Sequence, residues 1–191
     1  KTMLDKKLER LAALLDDNSI ADILLVWSGF KPAALVELSH FQRAKISRLE
    51  FHTAVNNIEK TLQQLGLSYQ LHLNYPKTLR TLTKHSYIAK DKKTLAALIA
   101  LCAEKDDKKR RLQVGALLGY PKTAVIAFAD GKSIALRLPS TISKLKEIQF
   151  LNFRLSQHWR KELKYVRQRA KEIKRISPEL YRRIVSKSRQ R

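Results

Sequence analysis

The chain is poor in the residues that most often announce a chemistry. Only one cysteine, Cys102, stands among 191 residues, so an internal disulfide and a cysteine-based zinc cluster are both excluded. Cys102 lies in the apolar run 96–103, where a buried helix thiol is expected rather than a nucleophile. Five glycines and five prolines make no flexible linker, and no internal repeat is present. No apolar run approaches the roughly 18 residues of a membrane span, and the amino terminus lacks the apolar core of a signal peptide. A soluble, intracellular, cytoplasmic protein is the expectation. Acidic residues are scarce as well: 17 Asp and Glu face 39 Lys and Arg, a formal charge of +22. That excess repels itself unless an anionic partner neutralises it.

The charge is unevenly spread. Residues 1–39 carry a net −1, residues 40–139 carry +11 and residues 140–191 carry +12. Within the last segment, Trp159, Leu163, Val166, Ala170 and Ile173 recur at steps of four and three, one face of an amphipathic helix. One residue further round, Arg160, Lys164, Arg167, Lys171 and Lys174 repeat the same steps. A cationic row therefore lies about 100° from an apolar stripe, and only Glu162 and Glu172 offset it. Lys108, Lys109, Arg110 and Arg111 form a second cluster. Trp159 and Tyr165 are the nearby rings that could stack on bases, although Trp159 sits on the apolar stripe.

Along the chain, residues 3–15 predict a packing helix with Leu4, Leu8, Leu11 and Leu15 on one face, stopped by Asp16 to Ser19. The dense run from Ile20 to Trp27 reads as a buried strand, and Pro32 to Leu38 as either a second strand, which is preferred, or a short helix begun by Pro32. Ser47 and Glu50 form a capping box before the stripe Phe51, Val55, Ile58, Leu62 and Leu65, which Gly66 ends. Alternation from Leu67 to Leu73 predicts a strand, and Tyr87 to Ala89 another. Asp91 caps a helix to about Glu104, Asp106 starts a helix that Gly119 ends, and Pro121 opens a short one to Ala129. Ser133 to Leu138 reads as extended, and Ser177-Pro178 starts a final helix. The expected fold is α+β: a small mixed sheet packed by helices in the amino-terminal half, with a helical carboxy-terminal half. The expected organisation is an α+β domain over 1–139, with a split near 90 as the alternative, and a basic helical extension over 140–191 packed on it.

Gly131-Lys132-Ser133 ends like a phosphate-binding P-loop, but Ile126 occupies the position of that motif's first glycine. Gly119 to Thr123 is a turn feeding a helix start, where Lys122 and Thr123 form a candidate anion site. His40, Arg43, Lys45 and Arg48, before the capped helix, form another. The five histidines lack metal-ligand spacing, and the acidic pairs Asp16-Asp17 and Asp106-Asp107 sit where capping explains them.

The run Leu118-Gly119-Tyr120-Pro121-Lys122-Thr123-Ala124-Val125, with Phe128 three residues on, resembles the L-G-Y-P segment of an uncharacterised, mainly archaeal domain family. The likeness covers about residues 115–128. In that family two cysteines usually follow the proline closely; this chain has Thr123 and Ala124 there and lacks both thiols. The resemblance implies no activity.

The sequence thus points to a basic protein that grips the phosphate backbone of a nucleic acid, alone or in a ribonucleoprotein. RNA is preferred over duplex DNA because no major-groove motif is present. The binding residues are Arg160, Lys164, Arg167, Lys171 and Lys174, helped by Lys108, Lys109, Arg110 and Arg111. No catalytic residue, metal or cofactor is assigned. The rival readings are an enzyme acting on a nucleotide or other anionic substrate, and an interaction subunit docking on an acidic protein or membrane surface. Nothing in the sequence sets an oligomeric state.

Overall fold

The computed structural model describes residues 3–37, 47–72, 85–133 and 145–186, with side chains from Lys7 onward. The chain divides into two compact units, Lys1–Ala96 and Ala97–Arg191. The fold is α+β, with a three-stranded sheet in the amino-terminal half and helices in the carboxy-terminal half.

In the first unit, helix α1 (Met3–Ala12) is followed by α2 (Asp17–Trp27). α1 stops three residues before Leu15, yet Leu8, Leu11, Leu14 and Leu15 are all buried. The strand predicted over Ile20 to Trp27 is a helix instead. Asp16 is not a stop but a cap: its carboxylate accepts the Ser19 N–H at 2.7 Å. The polar turn Asp17 to Ser19 lengthens an ambiguous eight-residue run into an eleven-residue helix whose residues Ile20 to Val26 are all buried. A run apolar on every side fits a core helix as well as a core strand, and the cap decides between them. Gly29, at φ +79°, turns the chain towards strand β1 (Ala33–Val36). Lys31 is fully buried beside Asp22, with Nζ 2.7 Å from its carboxylate.

Helix α3 (Arg48–Gln64) starts with the predicted capping box: Ser47 N–H donates to Glu50 at 2.7 Å, and Glu50 N–H to Ser47 Oγ at 3.3 Å. It ends at Gly66, φ +68°, and leads into β2 (Ser68–Gln70). Strand β3 (Ser86–Ala89) completes the sheet. The order is β1-β3-β2, and both pairings are antiparallel, not mixed as expected. α3 carries the chain between β1 and β2, which run in one direction, and β3 inserts between them. Ala34, Val36, Ser86 and Ile88 share the buried face; Leu35, Gln70 and Tyr87 lie on the more open one.

Helix α4 (Lys92–Cys102) is capped by Asp91, which accepts the Thr94 N–H at 2.8 Å. Its Cys102 is half-buried rather than enclosed. In the second unit, α5 (Asp107–Leu117) and α6 (Lys122–Ala129) form an antiparallel hairpin. Lys108 bonds Asp130, Arg111 lies over the Phe128 ring, and Gly115 faces Val125, so successive residues of one helix meet preceding residues of the other. The connecting turn hinges on Gly119 at φ +74°: Gly119 N–H donates to the Ala116 carbonyl at 2.9 Å and Tyr120 N–H to the Gly115 carbonyl at 3.1 Å. A 3-10 turn (Lys146–Phe150), unanticipated in the sequence, precedes α7 (Trp159–Ile176) and α8 (Pro178–Ser186). Ser177 caps α8, its hydroxyl accepting the Leu180 N–H at 3.2 Å. Phe150 stacks on Tyr181 with centroids 5.2 Å apart. Of the strand expected from Leu67 to Leu73, Ser68–Gln70 is strand and Leu73 lies outside the described residues, as do residues 134–138 of the extended segment expected at 133–138. Among the described residues no helix is long and apolar enough to cross a membrane.

Gly115 sets the spacing of the α5–α6 hairpin, since a Cβ there would lie 2.9 Å from both Val125 methyls. Gly115→Ala should therefore destabilise the protein, overpacking (about 1–3 kcal/mol) outweighing the roughly 1 kcal/mol of helix propensity gained. In a Val125→Ala background the same change should stabilise. Urea denaturation of the four proteins in this cycle reads the reversal; an unchanged sign would mean that Gly115 does not set the spacing.

Candidate nucleic-acid interface

Helix α7 is built as its sequence pattern predicts. Leu163, Val166, Ala170 and Ile173 are buried and Trp159 is half-buried. Arg160, Lys164, Arg167, Lys171 and Lys174 are all exposed, as are Lys161, Gln168 and Arg175. At about 100° per residue these eight positions span roughly 140° of the helix, and the five-cation row runs about 21 Å. Lys164, Arg167 and Lys171 form no ion pair with an acidic side chain among the described residues. Arg160 lies over its neighbour Trp159, 4.6 Å from the ring centroid, and Lys174 lies 5.7 Å from that of Tyr181. Arg175 is bound to Glu172 at 2.7 and 3.0 Å, and this hydrogen bonding raises its already high pKa.

The rotation of α7 is fixed at its start by Glu162, which in the sequence alone only offsets the charge of the row. Glu162 is 1% exposed. Its carboxylate accepts the Ser156 N–H at 2.8 Å, the Ser156 hydroxyl, and the Thr123 hydroxyl at 2.6 Å. Ser156 Oγ in turn accepts the His158 N–H at 3.0 Å. A buried carboxylate is tolerated when several donors converge on it, and a position in the first turn of a helix adds the favourable end of the helix dipole. The result ties α7 to the start of α6. Arg169, fully buried on the opposite side of α7, has no share in the open face.

The same bond bears on the candidate anion turn. The Thr123 hydroxyl is directed to Glu162, so a carboxylate of the protein itself stands beside the start of α6. Lys122 is exposed there. In the other candidate cluster, Arg48 is the exposed first residue of α3, while His40, Arg43 and Lys45 lie outside the described residues.

The second basic cluster is largely neutralised by the protein. Lys108 Nζ lies 2.7 Å from Asp130, and Lys109 Nζ 2.6 Å from Glu104. Arg110 and Arg111 share Asp107, the latter at 2.6 Å. Arg111 and Arg154 also lie over the Phe128 ring, at 5.0 and 5.5 Å. Hydrogen bonding to Lys108 holds Asp130 below the usual carboxylate range and raises Lys108 in return; Lys109 and Glu104 stand in the same relation. The lowered carboxylates contribute above the ordinary carboxylate pKa and lose that contribution only as pH falls through their lowered values, so both pairs are intact at neutral pH. Four cations that the sequence offers as one patch are therefore matched by three nearby acids.

Elsewhere, His85 Nδ1 lies 3.0 Å from Glu37, His72 packs edge-on to Tyr87 at 5.3 Å, and His52 is exposed. No group of three or more His, Cys, Asp or Glu among the described residues could hold a metal. An open groove of about 600 Å³ between α1 and α3 is lined by Glu9, Arg10, Leu49, Glu50, Thr53 and Asn57, without a convergent catalytic set. No family model, no curated protein and no solved structure matches the chain.

Glu162→Ala leaves the donors of Ser156 and Thr123 without their acceptor. The expected loss is about 2–4 kcal/mol of unfolding free energy, with Glu162→Gln losing less because one amide oxygen still accepts. Urea denaturation of both variants measures it; wild-type stability in Glu162→Ala would remove Glu162 as the anchor.

Proposed function

We propose that the protein binds nucleic acid by gripping the phosphate backbone through the open face of α7, with no catalytic role. The observation that carries this reading is the contrast between two basic clusters. The α5 cations are paired with Glu104, Asp107 and Asp130, whereas Lys164, Arg167 and Lys171 point outward without an acidic partner among the described residues. Residues 97–191 hold 24 Lys and Arg against 8 Asp and Glu, a formal +16, so a bound polyanion relieves considerable self-repulsion. Each neutralised phosphate releases counterions, which makes such binding strongly salt-dependent.

RNA is preferred over duplex DNA because the sequence carries no recognisable major-groove motif. α5 and α6 are tied along each other, and α7 keeps an apolar face buried along its length. An exposed cationic arc on a helix held in this way suits contact with a phosphate backbone. A ribonucleoprotein is the matching setting.

With up to five phosphate contacts from the row, log K against log[salt] should fall with a slope of about −3.5 to −4.5, depending on the form of the nucleic acid. Lys164→Glu combined with Lys171→Glu should flatten that slope by about 1.5–2 units, whereas Lys108→Ala with Lys109→Ala should change it by less than about half a unit. Fluorescence anisotropy across a salt series reads both. An unchanged slope in the α7 variant would rule the row out as the binding surface.

A further inference from the structure

Resting on the reading of α7 as a nucleic-acid surface, we infer that this surface takes base-paired RNA, holding the regular phosphate rows of a stem rather than the bases of an open strand. Proteins that hold single strands combine a cationic groove with free aromatic faces on which successive bases stack. The open arc of α7 offers neither. Its eight exposed positions are Arg160, Lys161, Lys164, Arg167, Gln168, Lys171, Lys174 and Arg175, with no aromatic ring among them. The rings at its two ends already carry cations: Arg160 covers Trp159 at 4.6 Å and Lys174 lies over Tyr181 at 5.7 Å, with Tyr181 also stacked on Phe150. Tyr165, the other ring anticipated for stacking, packs edge-on to Phe153 at 5.8 Å.

The shape of the row points the same way. A helix fixed by its buried stripe and by Glu162 holds its cations at set intervals on a convex surface, rising about 4.5 or 6 Å from one to the next. Over about 21 Å a duplex presents roughly twice the charge of one strand, in a fixed array that needs no ordering on binding. A flexible strand would have to be straightened along the row without any stacking energy in return. Side chains do not reach the base edges in the deep, narrow major groove of an RNA duplex, so binding should depend on helical form and not on sequence, as is usual for paired RNA.

The test uses the full chain and three probes of about 20 nucleotides or base pairs, long enough to cover the row: a non-pairing single-stranded RNA, an RNA duplex and a DNA duplex, each over a salt series. The expected result is an RNA duplex bound at least tenfold more tightly than the single strand at the same salt, with a slope near −4.5 that falls by about 2 in the Lys164→Glu, Lys171→Glu double variant. Two RNA duplexes of unrelated sequence should bind within about threefold of each other. Trp159→Phe, which keeps the apolar stripe, should leave duplex affinity unchanged. Equal or tighter binding of the single strand, or its selective loss in Trp159→Phe, would overturn the paired-RNA inference and leave the nucleic-acid reading standing. A preference for the DNA duplex would also overturn it. Absence of salt-dependent binding to all three probes would remove both.

Discussion

The three hydrogen bonds that converge on the buried carboxylate of Glu162 are the constraint on which the carboxy-terminal unit depends. They join the segment before α7, through Ser156, to the start of α6, through Thr123. An apolar stripe alone determines which side of a helix is buried only to within a broad arc; a charge that must find its donors is less forgiving. Glu162 and Leu163 are adjacent in sequence and both buried, so polar and apolar requirements select the same rotation of α7. With that rotation set, Arg160, Lys164, Arg167, Lys171 and Lys174 are directed to solvent without further devices.

Charge density in a sequence does not locate a charged surface. The run 108–111 is the longest unbroken string of cations in the chain, yet its members meet Asp107 within the helix and Asp130 and Glu104 outside it. Arg169 is as basic as its neighbours on α7 and is fully buried. The α7 row differs in that Glu162 is committed inward and Glu172 is bound to Arg175, so neither carboxylate of that helix faces Lys164 or Arg167 across the open arc.

What could be read in advance was what depends on neighbours in sequence. The Ser47–Glu50 box, the glycines at positive φ that close α3 and α5, and the periodic faces of α3 and α7 all follow from local chemistry, and each is present. The fold class followed from those elements. The antiparallel order of the sheet did not, because it depends on where β3 inserts between β1 and β2, which no local pattern encodes. Helix α2 is not legible for a related reason: Ile20 to Val26 are all buried, so periodicity is silent, and Asp16 reads as the end of one helix when it starts the next. Within the candidate site, the row is legible from spacing, whereas the roles of Glu162 and Thr123 are not, being 39 residues apart and joined only by the fold. The neutralising pairs of α5 were hidden in the same way, since Lys108 and Asp130 meet only across the hairpin.

The central claim is that the open face of α7, and not the total charge of the chain, meets the polyanion. The most direct measurement is lysine acylation footprinting by mass spectrometry, with and without saturating RNA, at a salt concentration low enough to keep the complex formed. The account predicts protection of Lys161, Lys164, Lys171 and Lys174, with Lys108 and Lys109 modified at the same rate in both states. Protection spread evenly over all exposed lysines, or centred on Lys108 and Lys109, would contradict it.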